Sequence, residues 1–150
     1  MKILLIGLGS IGQRHLRNLN KLNYKFEVVT KSNFKEILSM RNIGAFPKYR
    51  QIISEKKLEA FKPEAVFICN NSSKHFETMK KYIKNGTNIF VEKPLVTNQK
   101  DLKSLQKYIQ KFKSISTVGF QTRFNPCVQY VKKIKQNEKI IFSDFIWLTF

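Results

Sequence analysis

The sequence predicts an α/β fold in which a parallel β-sheet is covered by helices on both faces. Short, continuous apolar runs alternate with longer segments whose apolar residues recur at helical spacing, and the connections between them are short. The chain has 150 residues, of which 42% are hydrophobic and 13% aromatic, so it can bury one sizeable core. One ordinary domain is therefore expected, with too little chain left for a complete second one.

The first half of the chain is predicted to hold three strands and three helices. Residues 2–6 form the continuous apolar run that is typical of a strand buried on both faces, and Asn33 is a predicted helix N-cap. Pro47 weakens the third strand, because proline cannot donate a hydrogen bond to a sheet. The predicted strands are 2–6, 26–30 and 45–49, and the predicted helices are 11–22, 33–41 and 52–61.

The second half repeats the alternation more clearly. A polar turn at 70–73 with a capping serine precedes a helix that Gly86 ends, and Asn98 is predicted to cap the next helix. The predicted strands are 65–69, 88–91 and 116–120, and the predicted helices are 74–85, 98–113 and 126–136.

The last twelve residues, 139–150, predict a long and very apolar strand with no following partner in the sequence. This strand is expected to begin a second sheet that is missing here. The expected division is one domain over 1–123 and, over 124–150, a connecting helix and the first strand of a truncated second domain.

The net charge of +18 comes from 28 basic and 10 acidic residues, and taken alone it suggests a nucleic-acid partner. The 23 lysines are scattered rather than clustered, and the abundance of Lys, Asn, Ile and Phe is typical of a genome rich in A/T codons. Nucleic acid is therefore not the expected partner. A basic surface would still attract phosphorylated or carboxylated ligands.

The sequence predicts neither a membrane span nor a secretion signal. No stretch approaches about 20 consecutive apolar residues, and the apolar start runs directly into glycines without a cleavage pattern. A cytoplasmic location is expected. The two cysteines have no metal-ligand spacing, and no metal site is predicted.

A glycine loop at residues 7–12 carries the first functional prediction. Gly7, Gly9 and Gly12 form the pattern Gly-x-Gly-x-x-Gly between a predicted strand and a predicted helix, with Ser10 and Ile11 inside it. Gly7 permits the tight turn, Gly9 lets backbone amides approach a pyrophosphate, and Gly12 allows close helix packing. The helix N-terminus then presents free N–H groups to the phosphates. The sequence therefore predicts dinucleotide binding on a doubly wound Rossmann fold.

The end of the second strand bears on the choice of dinucleotide. A carboxylate there would bind the ribose 2′-hydroxyl of NAD, but the sequence has Thr30, Lys31 and Ser32. A lysine between two hydroxyls suits a 2′-phosphate, so NADP is favoured over NAD. The alternative is that Lys31 is one more solvated lysine.

Four segments, in order along nearly the whole chain, resemble the Gfo/Idh/MocA oxidoreductases, which include glucose–fructose oxidoreductase and inositol dehydrogenases. They are the opening Gly-Leu-Gly-Ser-Ile-Gly-Gln-Arg-His at 7–15, the strand and turn at 65–75, Val-Glu-Lys-Pro-Leu at 91–95, and Val-Gly-Phe-Gln-Thr-Arg-Phe-Asn-Pro at 118–126. Glu-Lys-Pro after a buried strand is the most specific of them. Asn71 departs from the pattern, since the family usually has proline there.

The resemblance implies roles for single residues. Lys93 would be catalytic, hydrogen-bonding the reacting oxygen and taking part in proton transfer. Glu92 and Pro94 would shape the nicotinamide pocket, with Pro94 often preceded by a cis peptide in this family. The residues that would line the cofactor groove are Cys69, Asn70, Asn71 and His75. Arg123 would lie near the substrate or nicotinamide end. The alternatives are that His75 caps its own helix and that Arg123 is an ordinary surface residue.

The function that the resemblance implies is the NAD(P)-binding portion of a sugar or polyol dehydrogenase. The family's second domain usually supplies an Asp and a His that complete the catalytic group, so this chain is expected to bind cofactor but to be catalytically incomplete. The alternatives are a non-enzymatic dinucleotide-binding sensor or scaffold and, less favoured, a nucleic-acid-binding protein. Pairing of the 140–150 strand between copies would give a homo-oligomer.

Overall fold

The computed structural model describes residues 1–22, 27–31, 50–51, 55–112 and 114–137. The chain divides into two compact units, one spanning Met1–Gly119 and the other beginning at Phe120. The predicted helix at 33–41, the predicted strand at 45–49 and the apolar segment at 139–150 lie outside the described residues.

The first unit is built on a six-stranded sheet in which every described pairing is parallel, in the order β3-β2-β1-β4-β5-β6. The strands are β1 (Lys2–Ile6), β2 (Glu27–Lys31), β3 (Arg50–Gln51), β4 (Ala65–Ile68), β5 (Asn88–Val91) and β6 (Ser116–Val118). β1 lies in the middle, with Ile3 in register with Val28 on one side and Ala65 on the other. The predicted doubly wound sheet is confirmed, and its order reverses between β1 and β4.

The described helices of the first unit are α1 (Ser10–Lys21), α2 (Glu55–Phe61), α3 (His75–Ile83) and α4 (Gln99–Phe112). The second unit contains a 3-10 turn at Gln121–Phe124 and α5 (Pro126–Asn137). The third strand lies at Arg50–Gln51, immediately after the segment predicted for it. None of the helices in the described parts of the chain is long and apolar enough to span a bilayer.

Two buried clusters show that both faces of the sheet are covered, as predicted. Ile3 and Leu5 point to one face, where they pack with Leu8, Leu16 and Leu19. Leu4, between them in the strand, points to the other face, because successive side chains alternate in a strand. That second cluster joins the sheet to α2, α3 and α4 through Leu58, Phe61, Val66, Ile68, Met79, Ile83, Val91 and Leu105.

The turns around α3 and α4 show which capping predictions hold. Asn98 caps α4 as predicted, its Oδ1 accepting from the Asp101 N–H at 2.8 Å. Gly86 ends the α3 segment with φ +70°, a backbone conformation that glycine adopts without strain. The predicted serine cap before α3 is wrong. Asn71 caps the short 3-10 turn Ser72–Lys74 that precedes α3, and its Oδ1 accepts from the backbone N–H and the hydroxyl of Ser73 at 3.1 and 2.9 Å.

Candidate cofactor site

Three turns at the carboxyl ends of neighbouring strands form the candidate site. The glycine loop follows β1, residues 69–73 follow β4, and the turn at residues 92–94 follows β5. Because β1, β4 and β5 are adjacent and parallel, these turns meet at one edge of the sheet. The strand order reverses between β1 and β4, and ligands of open α/β sheets bind in the crevice at such a point.

The glycine loop is packed tightly against the turn that follows β4. Gly7 has φ +92°, and a Cβ on it would lie 2.6 Å from the backbone N of Asn70 and from the backbone of Cys69. A Cβ on Gly12 would collide with the Gly7 carbonyl oxygen. Glycine is therefore required at both positions, for the tight turn and for the close approach of α1. The tight turn predicted at Gly7 is confirmed. Gly12 makes room for the Gly7 carbonyl of the loop, whereas the sequence predicted that it makes room for the sheet.

Gly9 and the start of α1 form an open cradle. A Cβ on Gly9 would have no described heavy atom within 4 Å. Gly9 and Ser10 are exposed and Ile11 is half-buried. The first helical hydrogen bond runs from the Gln13 N–H to the Gly9 carbonyl at 3.0 Å.

The first turn of α1 has the character of an anion site. Among the described residues no side chain caps this helix, and its first turn contains no acidic residue. Backbone N–H groups at an uncapped N-terminus, together with the helix dipole, attract a phosphate. Ser10, Ile11 and Gly12 can therefore hold the pyrophosphate of a dinucleotide through their amides.

The turn after β4 supplies a buried thiol and an amide with spare capacity. Burial, with a further contribution from the negative charge of Glu92, raises the pKa of Cys69 to about 12, so the thiol stays protonated at neutral pH. Asn70 donates from Nδ2 to the Thr78 hydroxyl at 3.2 Å. Its Oδ1 is buried and has no hydrogen-bond partner among the described residues. An orphaned acceptor at this position fits a site that is completed by a ligand.

His75 is placed differently from either sequence interpretation. The ring is 1% exposed, its Nδ1 lies 2.7 Å from the Pro94 carbonyl oxygen and its Nε2 lies 3.0 Å from that of Asn70. A buried ring with both nitrogens on backbone carbonyls is not offered to a ligand, and the cap of the preceding turn is Asn71. His75 instead ties the turn after β4 to the turn after β5.

The turn at residues 92–94 contains an exposed lysine directly after a buried glutamate. Glu92 is 5% exposed, whereas Lys93 is exposed. The Lys93 backbone N–H donates to Glu92 Oε2 at 3.3 Å. The Lys93–Pro94 peptide bond is cis, as the resemblance implied. Lys93 is thus accessible to solvent at this edge of the sheet, while the Glu92 side chain is buried.

His15, on α1, contacts this turn, and no pattern in the sequence predicted a role for it. Its Nε2 lies 2.7 Å from Glu92 Oε1, and both side chains are largely buried. The imidazole ring packs edge-on against Phe90, with ring centroids 4.9 Å apart, and tilted against Phe67 at 5.7 Å. The sequence position of His15 could have indicated this contact. His15 lies three residues after Gly12, so both residues are on the face of α1 that packs closely against the glycine loop.

The remaining predicted site residues are Thr30, Lys31, Ser32 and Arg123. Thr30 and Lys31 end β2, in register with Leu5 and Ile6, and Ser32 lies outside the described residues. Arg123 belongs to the second unit, where its Nε donates to the Phe120 carbonyl at 3.2 Å and its guanidinium stacks on the Phe120 ring at 5.6 Å. The preference for NADP and the role of Arg123 stay predictions.

Comparison with known proteins matches this geometry to a family. Residues 1–120 match the GFO_IDH_MocA family, described as an oxidoreductase family with an NAD-binding Rossmann fold. The chain is 27% identical over 144 residues to the myo-inositol 2-dehydrogenase of Thermotoga maritima, which covers 93% of this chain and 42% of that protein. It spans about two-fifths of the length of the curated relatives it matches.

Solved structures share the fold. The myo-inositol 2-dehydrogenase of Lactobacillus plantarum superposes with a TM-score of 0.76 at 24% identity, over 91% of this chain and 41% of that one. The WlbA dehydrogenase of Chromobacterium violaceum, solved with NADH and UDP-GlcNAcA, gives a TM-score of 0.76 at 23% identity, over 91% of this chain and 39% of that one. With the glycine loop, the switch point and the Glu-Lys-Pro turn in place, the chain belongs to the Gfo/Idh/MocA family of oxidoreductases and carries its NAD-binding Rossmann fold.

Proposed function

We propose that this chain is the NAD(P)-binding part of a dehydrogenase that transfers hydride between a nicotinamide cofactor and a hydroxyl or ketone carbon of a sugar or polyol. The observation that carries the proposal is the meeting of an open, uncapped helix N-terminus with an exposed lysine across the switch point of the sheet. The first is suited to a pyrophosphate and the second to the oxygen of a reacting alcohol.

The residues that would hold the dinucleotide are those of the glycine loop and the turn after β4. The amides of Ser10, Ile11 and Gly12 would bind the pyrophosphate, and the open space at Gly9 allows it to approach the backbone. Asn70 offers its unpartnered Oδ1 from the opposite wall. When bound, the nicotinamide ring supplies the hydride acceptor or donor.

Lys93 is the proposed acid–base residue. Its exposed ammonium can donate a hydrogen bond to the substrate oxygen, which orients the reacting carbon. When a hydroxyl is oxidised, Lys93 would act as the neutral amine, whose Nζ accepts the hydroxyl proton and becomes the ammonium. In the reverse direction the ammonium returns that proton to the oxygen. Glu92 is turned inward onto His15, so we assign it to holding the turn rather than to proton transfer.

The substrate and the rest of the catalytic group belong, in this proposal, to a second domain that begins within 124–150. The curated relatives are more than twice as long as this chain, which supports such a domain. Among the relatives is a scyllo-inositol 2-dehydrogenase (NAD(+)) from Bacillus subtilis, 34% identical over 70 residues, which cover 47% of this chain and 20% of that protein. NADP remains our preferred dinucleotide because residues 30–32 contain no carboxylate. We further propose a cytoplasmic location and a small-molecule rather than nucleic-acid partner.

Calorimetric titration of the chain with NADP⁺ and NAD⁺ at near-physiological salt tests the proposal. We expect saturable binding of both, tighter for NADP⁺, and a loss of at least about tenfold in affinity for Gly9→Ala because its methyl group enters the space used by the pyrophosphate. Asn18→Ala, an exposed change on the same helix, is the matched control and should bind like the parent. Absence of binding in the folded parent chain, or equal binding by Gly9→Ala, would contradict the proposed function.

A further inference from the structure

Both histidines of the chain contact the turn at residues 92–94, and they do so from helices on opposite faces of the sheet. His15 is on α1, which packs with Ile3 and Leu5, and it reaches Glu92 Oε1 at 2.7 Å. His75 opens α3, which packs on the other face, and it reaches the Pro94 carbonyl at 2.7 Å. The residue between these two contacts is Lys93. We call this arrangement the histidine clamp.

The ion pair between His15 and Glu92 is largely buried, and it therefore restrains the turn more than an exposed ion pair would. The two side chains are 15% and 7% exposed, and a carboxylate buried to this degree is costly unless its oxygens are bonded. Oε1 is bonded by His15 on α1, and Oε2 accepts from the backbone N–H of Lys93. The carboxylate therefore links the helix of the glycine loop directly to the backbone of the proposed acid–base residue.

Neighbouring groups leave the His15–Glu92 pair little freedom. The imidazole lies edge-on against Phe90 and tilted against Phe67, and these two rings stack on each other with centroids 5.0 Å apart. On the side of β6, a Cβ on Gly119 would lie 3.0 Å from Glu92 Oε1, a tight contact, so the glycine at this position leaves room for the carboxylate. The orientation of the pair is thus set by α1, β4, β5 and the end of β6 together.

His75 restrains the other end of the turn. Its ring is fully buried and spans from the Pro94 carbonyl to the Asn70 carbonyl, 2.7 and 3.0 Å away. Asn70 is the residue against whose backbone Gly7 packs. His75 therefore also connects the turn at residues 92–94 to the glycine loop, in this case through Asn70.

We propose that His15 and His75 are positioning residues that fix Lys93 relative to the cofactor-binding end of α1, so that a bound dinucleotide and the Lys93 ammonium meet in one geometry. This inference rests on the proposed function for its catalytic meaning, but the restraint itself is a property of the chain without cofactor. The two parts can therefore be tested separately.

Hydrogen–deuterium exchange of the cofactor-free chain tests the restraint. His15→Phe keeps an aromatic ring against Phe67 and Phe90 but removes the bond to Glu92. We expect amides in residues 92–96 to exchange about tenfold faster, because a hydrogen bond to a charged group is worth roughly one such factor. Peptides from α4 should not change. His15→Gln, whose amide can still donate to Glu92, should restore slow exchange, and Asn18→Ala should match the parent.

Two results of this measurement would overturn the clamp: unchanged exchange at 92–96 in His15→Phe, or a rise spread evenly over the chain, which indicates only general destabilisation. If His15→Phe does not fold, Glu92→Gln provides the same test, since it replaces a charge-assisted bond by a neutral one. An increase of about threefold at 92–96 is then expected, and no increase would again overturn the clamp.

Lysine acetylation, followed residue by residue by mass spectrometry, tests the consequence for Lys93. Lys62, exposed and located before β4, serves as the internal reference. Saturating NAD⁺ should slow acetylation of Lys93 in the parent chain and in His15→Gln. In His15→Phe this protection should be largely lost, even at an NAD⁺ concentration that calorimetry shows to saturate the variant. Equal protection in His15→Phe would refute the positioning role. A parent chain that binds neither NAD⁺ nor NADP⁺ would refute the proposed function, while the exchange result would still decide the restraint.

Discussion

The Gly12→Ala variant should unfold at a lower urea concentration than the parent chain, although alanine is the better helix former. Position 12 lies in the first turn of α1, where alanine by itself would stabilise the helix by about 1 kcal/mol. The added methyl group, however, would occupy the place of the Gly7 carbonyl oxygen and approach the Cys69 side chain to 3.4 Å. In Gly12→Ala, a gain in helix stability is therefore opposed by a steric cost.

The steric cost should exceed the helix gain, because the methyl group is fixed to the helix backbone and the atom it meets is a backbone oxygen. Forcing a methyl group into a packed site costs about 1–3 kcal/mol and sometimes more, and neither α1 nor the Gly7 turn, held at φ +92°, can rotate a side chain away. A net loss of about 2 kcal/mol is expected. With a urea dependence of about 2 kcal/mol per molar, the midpoint should fall by about 1 M.

Gly9→Ala is the matched control for this measurement, since it adds the same methyl group three residues earlier. Gly9 has φ −63° and open space around its Cβ position, so its unfolding midpoint should stay the same or rise slightly. Urea denaturation followed by circular dichroism measures both variants. A Gly12→Ala midpoint equal to or above that of Gly9→Ala would refute the close approach of α1 to the glycine loop.

Two further predictions concern a helix cap and a thiol. Asn98→Ala should lower the free energy of unfolding by about 1 kcal/mol, because the Asp101 N–H loses its acceptor. Asn98→Ser should lower it less, since a serine hydroxyl can still accept that bond, and the urea midpoints of the two variants test the difference. Iodoacetamide at pH 8 should alkylate exposed Cys127 rapidly and Cys69 slowly, because burial and Glu92 raise the pKa of Cys69 to about 12. Peptide mass spectrometry measures both alkylation rates, and equal rates in the folded chain would contradict this prediction. Since the folded chain retains this thiol proton beyond the ordinary pKa of 9.0, stability should fall as pH rises from 9.0 towards 12.

The elements that the sequence predicted best are those whose ends carry strong local signals. β1 and β5 have the predicted bounds, because each apolar run is closed by residues that cannot continue it, glycine after Ile6 and a charged pair after Val91. The cap before α3 could not be chosen in the same way. Asn71 and the serines beside it are all good caps, and only the backbone path of the turn selects Asn71.

The turns of the predicted site carry strong local patterns, whereas the contacts that link these turns do not. The glycine loop and the Glu-Lys-Pro turn are local patterns that can be read along the chain. The bond between His15 and Glu92 joins residues 77 positions apart, and it depends on the strand order and on the path of α1 over the sheet. His75 had two local explanations, and its actual partner, the Pro94 carbonyl, is a backbone atom 19 residues away. Periodicity does not specify such contacts.

The central position of β1 has a consequence for how the protein is made. β1 leaves the ribosome well before its neighbour β4, because Ala65, the register partner of Ile3, lies 62 residues further along the chain. At a typical rate of about 5–20 residues per second, roughly 3–12 s pass before that neighbour is synthesised. Throughout this interval an apolar strand with one open edge is exposed to other nascent chains. Association with a chaperone, or rapid translation of this stretch of the message, would protect the growing chain until the middle of its sheet can close.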